Sequence, residues 1–473
     1  MSKLSIKEKI GFSLGEIGGT LSWQAMMFYL AYFYTDVFGL PATTVGFLLF
    51  IPRFFDAFVD PIVGTIADRT NTKYGKFRPF ILWIFIPYCV LMVLMYITPN
   101  FGLAGKIAYA YITYILMMIL YSFMMTPYNA LGGVITSDHH DRTSLQSFRF
   151  MMAFIGGLLV RGATTPLVKF FGGNDPVTNK VVDEQHGFMM TMIVFAVISL
   201  VAFFITFVST KERVHAPNQQ KSSLKTDLKD LLANKPWVVL FIVSSLNLIY
   251  VGVWSSSFAY YFKYYISVKT LDIFGFQYDL MSTFNVFGSL VIILVLAFPT
   301  AKFLTQKLGK RNTLIACFTL VFVSISALYT CKPEDVGMIL FWQFIQSAAA
   351  ACTMPLVWGM YADAADYSEW KNGRRATGLV FSAVVLGQKA GVALGAAIPL
   401  WILGSLDYNK DLAQQPESVL LAIKLCMSLI PAVIALMTAV SCFFYKLSDK
   451  DMDQIQAELT QRRALAQEAI SVN

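Results

Sequence analysis

Twelve separate stretches of this chain are apolar and long enough to cross a bilayer, and that recurrence limits the fold more than any other feature. A hydrocarbon core of about 30 Å needs about 20 mostly apolar residues in a helix, and no backbone polar group inside it can be left unpaired. The stretches run approximately over 10–35, 43–67, 80–98, 107–134, 146–171, 187–209, 237–262, 279–300, 313–331, 336–361, 376–403 and 418–446. Only 14% of the 473 residues are charged and 56% are hydrophobic, whereas a soluble domain carries about 25% charge, so a soluble enzyme is a poor fit. The expected fold class is an all-α integral membrane protein with twelve transmembrane helices in two six-helix bundles. The first bundle is placed at 1–209 and the second at 237–446, followed by a cytoplasmic tail at 447–473. Between the bundles lies a polar loop, 210–236, where Leu224, Leu228, Leu231 and Leu232 give an amphipathic helix along the membrane surface.

Orientation follows from Lys and Arg. Clusters at Arg69–Arg78, Lys211–Lys235, Lys302–Arg311 and Lys371–Arg375 fall in alternate loops. The positive-inside rule therefore puts those loops and both termini in the cytoplasm, and explains the net charge of +8 without nucleic acid. The N-terminus lacks a small-residue cleavage site, so no signal peptide is expected and the first span stays. The six cysteines form no CxxC pair, which argues against a metal site or a disulfide framework. No GxxxxGK[ST] loop occurs, so this chain does not hydrolyse nucleotides to drive transport. KYGKFRP after span two and KLGKRN after span eight echo each other near half the chain length. That spacing hints at the parallel repeat of major facilitator carriers.

Charges inside spans point to function. Arg53, Asp56 and Asp60 are spaced i, i+3, i+7 and share one helical face in span two. A charge near the bilayer centre costs at least about 2.5–3.5 kcal/mol and marks a pathway for ions or polar solutes. Two carboxylates on one face can supply oxygens to a hard cation, or share a proton. Lys389 lies about 13 residues into span eleven, roughly 20 Å at 1.5 Å per residue, too deep for easy snorkelling. A sugar site needs polar groups for hydroxyls and an aromatic face for the ring. Span one offers Glu16, Thr20, Trp23 and Gln24 on one side; span four offers Tyr121, Ser122, Met125, Tyr128 and Asn129; span five offers Arg149. Arg161 lies deeper in span five.

Gly64-Thr-Ile-Ala-Asp68-Arg69 followed by Gly75-Lys76-Phe77-Arg78 matches the GxxxD(R)…GK/R loop of the major facilitator superfamily. FYTDVFGL, RFFDAFVDPIVG, GKFRPF, TPYNAL and ADAADYSEWKNGRRATG, spread from span one to span eleven, resemble the glycoside–pentoside–hexuronide:cation symporter family. Among its members the text is most similar to bacterial xyloside and isoprimeverose carriers. The resemblance implies a major facilitator fold and puts Asp56 and Asp60 on the family's cation-binding aspartates. It puts Ser122 on a hydroxyl donor of that site and Lys389 on an intramembrane lysine able to replace the cation. It puts Arg149 on a sugar-contacting arginine. The family's melibiose carrier has an amide before the second aspartate where this chain has Val59, which weakens Na⁺ and favours H⁺. It has two sugar-binding aspartates where Thr20 and Met125 stand here, which argues against melibiose. Arg53, Asp68, Arg69, Lys76, Arg142, Asp363, Asp366, Arg374 and Arg375 are the candidates for salt bridges that break and re-form as the halves rock.

The expected function is cation-coupled (H⁺ or Na⁺) symport of a xyloside-like glycoside or pentoside by alternating access. A hexuronide or galactoside carrier of the same family is the alternative, because Arg149 and Lys389 could pair with a sugar carboxylate. The expected partners are a small sugar, a monovalent cation or proton, and lipid, with no nucleic acid and no organic cofactor. The chain is expected to act as a monomer in the bacterial inner membrane. An integral-membrane enzyme acting on lipid-linked sugars is the reading from another class. No His-rich cluster supports it.

Overall fold

The computed structural model describes residues 4–136, 139–175, 181–213, 231–273, 276–297, 300–372, 377–406, 408–412 and 414–471. Helices cover all twelve expected stretches. They are α1 (Ile6–Phe28), α2 (Ala42–Arg69), α3 (Arg78–Leu94), α4 (Leu103–Val134), α5 (His139–Gly172), α6 (Glu184–Ser209), α7 (Lys235–Tyr260), α8 (Leu280–Ala297), α9 (Thr300–Leu328), α10 (Val336–Asn372), α11 (Thr377–Gly404), and the pair α12 (Glu417–Met427) and α13 (Leu429–Phe443). Among the described residues nine segments are long and apolar enough to cross a membrane, while α3 and most of α8 are shorter apolar helices. The chain is an all-helical, multi-span membrane protein.

Local chemistry sets the helix ends. Ser5 caps α1 by accepting from the Glu8 N–H at 3.2 Å, and Asp183 caps α6 by accepting from His186 at 2.9 Å. Gly309 interrupts α9 with φ of 78°, a left-handed conformation that suits glycine. The helix of span one does not stop at Phe28; after a break at Tyr29 it continues through Leu30–Tyr32 into a π-turn at Phe33–Val37. A second π-turn, Tyr261–Tyr265, ends the helix of span seven.

Four features depart from the expected pattern. A two-stranded antiparallel hairpin, β1 (Thr270–Ile273) with β2 (Phe276–Asp279), lies between α7 and α8. Helix α10 runs eleven residues past the expected span end at 361, about 16 Å further. Span twelve is broken at Ser428. The tail forms a helix, α14 (Asp449–Ser471), which packs on α10. The amphipathic segment expected within 210–236 lies mostly outside the described residues.

The chain packs as two compact units. One comprises residues 1–218, 252–289 and 393–426; the other comprises 219–251, 290–392 and 427–473. In the first, α1 packs along α5 and α6, α3 lies against α4 and α6, and α2 lies against α4. Close approach of α1 and α5 depends on Gly156, where an added Cβ would stand 3.2 Å from the Thr20 side chain. In the second unit α9 packs on α10 and α13 around Trp237, Leu240, Phe318 and Tyr361. The Asn234 amide there donates to the Ala364 carbonyl at 2.8 Å, and Lys310 pairs with Asp363 at 2.6 Å.

Candidate cation and sugar site

Helices α2 and α4 bring the two carboxylates of span two onto hydroxyls of span four. The Ser122 hydroxyl lies 2.8 Å from Asp56 Oδ1 and 2.6 Å from Asp60 Oδ1. Thr126, one turn further along α4, donates to the same Asp60 oxygen at 3.1 Å. Asp56 and Ser122 are buried, and Asp60 is partly so. Pro61 in α2 and Pro127 in α4 have no N–H. The carbonyls of residues 57 and 123 therefore lose their helical donors next to this cluster. The group is rich in oxygen acceptors, as a hard cation or a shared proton requires.

Arg53 lies on the same helix as the carboxylates but forms no ion pair among the described residues. Its guanidinium sits 5.3 Å from the centre of the Trp23 ring and 6.0 Å from that of Tyr114, and Nη1 reaches Met27 Sδ at 3.8 Å. Nε and Nη2 are buried without a hydrogen-bond partner. The side chain is 1% exposed, so cation–π contact is its main compensation.

The sugar candidates line α1 and the helices around it. Arg149 on α5 donates through Nε to Glu16 Oε2 at 2.6 Å and through Nη2 to Asn129 Oδ1 at 2.6 Å. It also stands over the Tyr128 ring at 5.3 Å. Tyr128 stacks on Phe12, with centroids 4.8 Å apart, and its hydroxyl donates to the Phe12 carbonyl at 2.9 Å. Tyr128 thus supports Arg149. Trp23 is partly exposed and meets Tyr121 at 5.2 Å. Thr20 and Met125 are buried in helix packing, Thr20 toward Gly156 and Met125 toward Gly19. Gln24 Oε1 accepts from Arg161 Nη2 at 3.4 Å.

The remaining candidates are placed as follows. Lys389 is half-buried on α11, within the second unit. Arg69 is exposed at the end of α2. Lys76 offers its backbone N–H to Glu212 Oε2 at 2.8 Å. Asp363 is paired with Lys310, and Asp366 is partly buried one turn on. The side chains of Asp68 and Arg142, and the whole of Arg374 and Arg375, lie outside the described residues.

Sequence reasoning missed several residues. Thr126 stands four residues after Ser122, a helical spacing that could have flagged it. Glu212 accepts from three consecutive backbone N–H groups, at Lys76, Phe77 and Arg78, and so pins the loop after α2. Asp36, in the π-turn, has a fully buried side chain. It accepts from Lys263 at 2.9 Å, from Tyr408 at 2.5 Å, from Thr35 at 2.8 Å and from Tyr264. Tyr408 lies in the loop between α11 and α12, where burial and the neighbouring Asp36 carboxylate push its phenol pKa upward. Arg213, beyond α6, forks onto Glu8 at 2.6 and 3.0 Å, and that carboxylate raises its pKa.

Paired carboxylates, hydroxyls and arginines inside a many-helix membrane bundle fit a carrier for ions or polar solutes. Solved structures agree on the fold. A bacterial homologue of the human drug peptide transporters PepT1 and PepT2 aligns with a TM-score of 0.68 at 12% identity, over 96% of this chain and 99% of that one. A mutant of the nucleoside transporter NupG aligns at 0.65 and 12%, over 93% and 100%. The chain belongs to the MFS/sugar transport protein family, whose profile matches residues 11–449. The Escherichia coli protein YagG, whose provisional name is glycoside/cation symporter, is 35% identical over 99% of this chain and 98% of its own length. The isoprimeverose transporter of Lactiplantibacillus pentosus is 33% identical over 97% and 92%. The inner membrane symporter YicJ of Escherichia coli is 33% identical over 98% and 97%. This chain is accordingly a multi-span membrane transport protein of that family, and not an enzyme.

Proposed function

We propose that the protein imports a pentose-containing glycoside together with one cation bound at Asp56, Asp60 and Ser122. The observation that carries this reading is the single Ser122 hydroxyl lying within 2.8 Å of one carboxylate oxygen and 2.6 Å of another. A hydroxyl has one proton to give. Ser122 therefore joins the two carboxylates into one oxygen cluster with Thr126, the kind of donor set that suits a cation or a shared proton. Val59 contributes no oxygen, which favours H⁺ over Na⁺. Lys389 is assigned the role of substitute charge in the empty carrier. Arg53, Asp68, Arg69, Lys76, Arg142, Asp363, Asp366, Arg374 and Arg375 are assigned to conformational exchange between two bundles divided at 210–236, with both termini cytoplasmic.

The neutral-sugar reading is supported by the pairing of Arg149 with Glu16. A guanidinium already neutralised within the protein does not call for a substrate carboxylate. An isoprimeverose transporter among the relatives supports the pentoside. The rival is a hexuronide, because a relative named as a glucuronide carrier protein homolog, from Escherichia coli, is 30% identical over 99% of this chain.

The test is uptake of labelled glycosides into proteoliposomes under an imposed Na⁺ gradient, an imposed proton gradient, or neither. Accumulation of a xyloside driven by the proton gradient and abolished by a protonophore is expected. Accumulation of a glucuronide alone would move the assignment to hexuronides, and accumulation that ignores both gradients would remove the coupling.

A further inference from the structure

We infer that Arg161 is a sugar-contacting residue. With Gln24 and Ser289, it holds the second ring of a disaccharide-sized glycoside whose first ring lies at Arg149 and Glu16. The inference rests on the glycoside reading above and adds the length of the substrate and a specificity residue.

Arg161 is buried on α5 except for an exposed edge, and its bonding is incomplete. Nη1 reaches Ser289 Oγ at 3.2 Å and Nη2 reaches Gln24 Oε1 at 3.4 Å, both long contacts to neutral acceptors. Nε is buried with no hydrogen-bond partner. One face of the guanidinium lies 4.6 Å from the Phe28 ring centre. No carboxylate pairs with it among the described residues. An arginine has five N–H donors and never deprotonates, so a guanidinium in a bundle interior with an idle Nε and one long bond from each Nη lacks acceptors. A sugar ring is a dense set of acceptors, and the partial exposure of Arg161 leaves room for one to reach it.

The position of Arg161 sets the substrate's size. Glu16 and Gln24 lie on one face of α1, eight residues apart, which is about 12 Å along the helix axis. Arg149 meets the first and Arg161 meets the second. Trp23, one residue before Gln24, already carries the Arg53 guanidinium and Tyr121 against its ring, so hydrogen bonds at the two poles are what grip the sugar. Two polar poles about 12 Å apart along the helix match two pyranose rings end to end. A single ring reaches one pole only.

The test uses the full-length protein in proteoliposomes with three probes: a xylose-containing disaccharide, methyl xyloside and a glucuronide. Arg161→Gln is expected to raise the disaccharide KM about tenfold or more, as loss of hydrogen bonds from a charged donor does. The maximal rate should stay near that of the wild type, and methyl xyloside affinity should not change. Arg161→Lys should fall between, because the charge survives and the fork does not. Ser289→Ala removes one acceptor without touching the charge, and serves as a second reading if the arginine variants fail to insert. It should raise the disaccharide KM alone by about threefold, as loss of one neutral hydrogen bond does. The inference is overturned if disaccharide and monosaccharide suffer equally, if neither suffers, or if only the glucuronide does. A wild type that takes up none of the three probes sinks the glycoside reading itself.

Discussion

Arg149 and Arg161 stand on the same helix, three turns apart, and meet the cost of a buried guanidinium in opposite ways. Arg149 has a carboxylate at 2.6 Å, a side-chain amide at 2.6 Å and an aromatic face. Arg161 has only an amide and a hydroxyl at longer range, together with the Phe28 ring. A charge saturated by the protein can orient a neutral substrate without demanding one. A charge left short of acceptors gains most when a ligand arrives. The difference separates a residue that shapes the site from one whose bonding a substrate completes.

The comparison breaks most visibly at Glu16. Glu16→Gln leaves Arg149 positive with no acid beside it. Removing one partner of a buried pair costs about 3–5 kcal/mol, reduced here because the side chains are 18% and 15% exposed. Initial uptake should fall about a hundredfold for every sugar, roughly 2.7 kcal/mol on the affinity scale. A double variant, Glu16→Gln with Arg149→Gln, should recover part of that loss; equal uptake by the single and double variants would show that the pair is not a unit. Arg149→Lys keeps the charge and loses the fork, so a uniform loss of about tenfold is expected across mono- and disaccharides. A loss confined to disaccharides would reverse the roles of the two arginines. Gln24→Glu is the smallest change and sharpens the contrast, because it gives Arg161 the kind of partner that Arg149 has. Disaccharide KM should rise about threefold while the melting temperature of the detergent-solubilised carrier holds or rises, as a paired charge stabilises at the expense of an open donor. A falling melting temperature would mean that the carboxylate does not reach Arg161.

Much of this architecture was legible in the sequence for a definite reason. Apolar length and lysine and arginine bias are local signals, and all twelve expected stretches carry helices. Asp56, Asp60 and Ser122 were legible for a similar reason: helical spacing put two carboxylates on one face, and resemblance supplied the hydroxyl. Features that depend on tertiary partners were not legible. The hairpin at Thr270–Asp279 has four-residue strands, too short for a period to show. The π-turn at Phe33–Val37 is seen only with Lys263, Tyr264 and Tyr408 gathered on Asp36, and those residues come from distant segments. Arg161 was visible as a deep charge, but its partners Gln24 and Ser289 stand more than a hundred residues away on other helices.

The two arginines bear on transport only if the sugar they hold is coupled to the carboxylates on α2. Coupling means that cation and sugar favour a shared state, so each raises the affinity for the other. Asp60 is the carboxylate that both Ser122 and Thr126 contact through a single oxygen. Replacing it with Asn removes the charge while keeping the shape. The most direct measurement is therefore labelled xyloside transport by Asp60→Asn, assayed as gradient-driven uptake and as counterflow in the same proteoliposomes. The account predicts that uphill accumulation disappears while exchange of internal for external sugar persists. Accumulation at the wild-type level in that variant, at equal protein density, would contradict it.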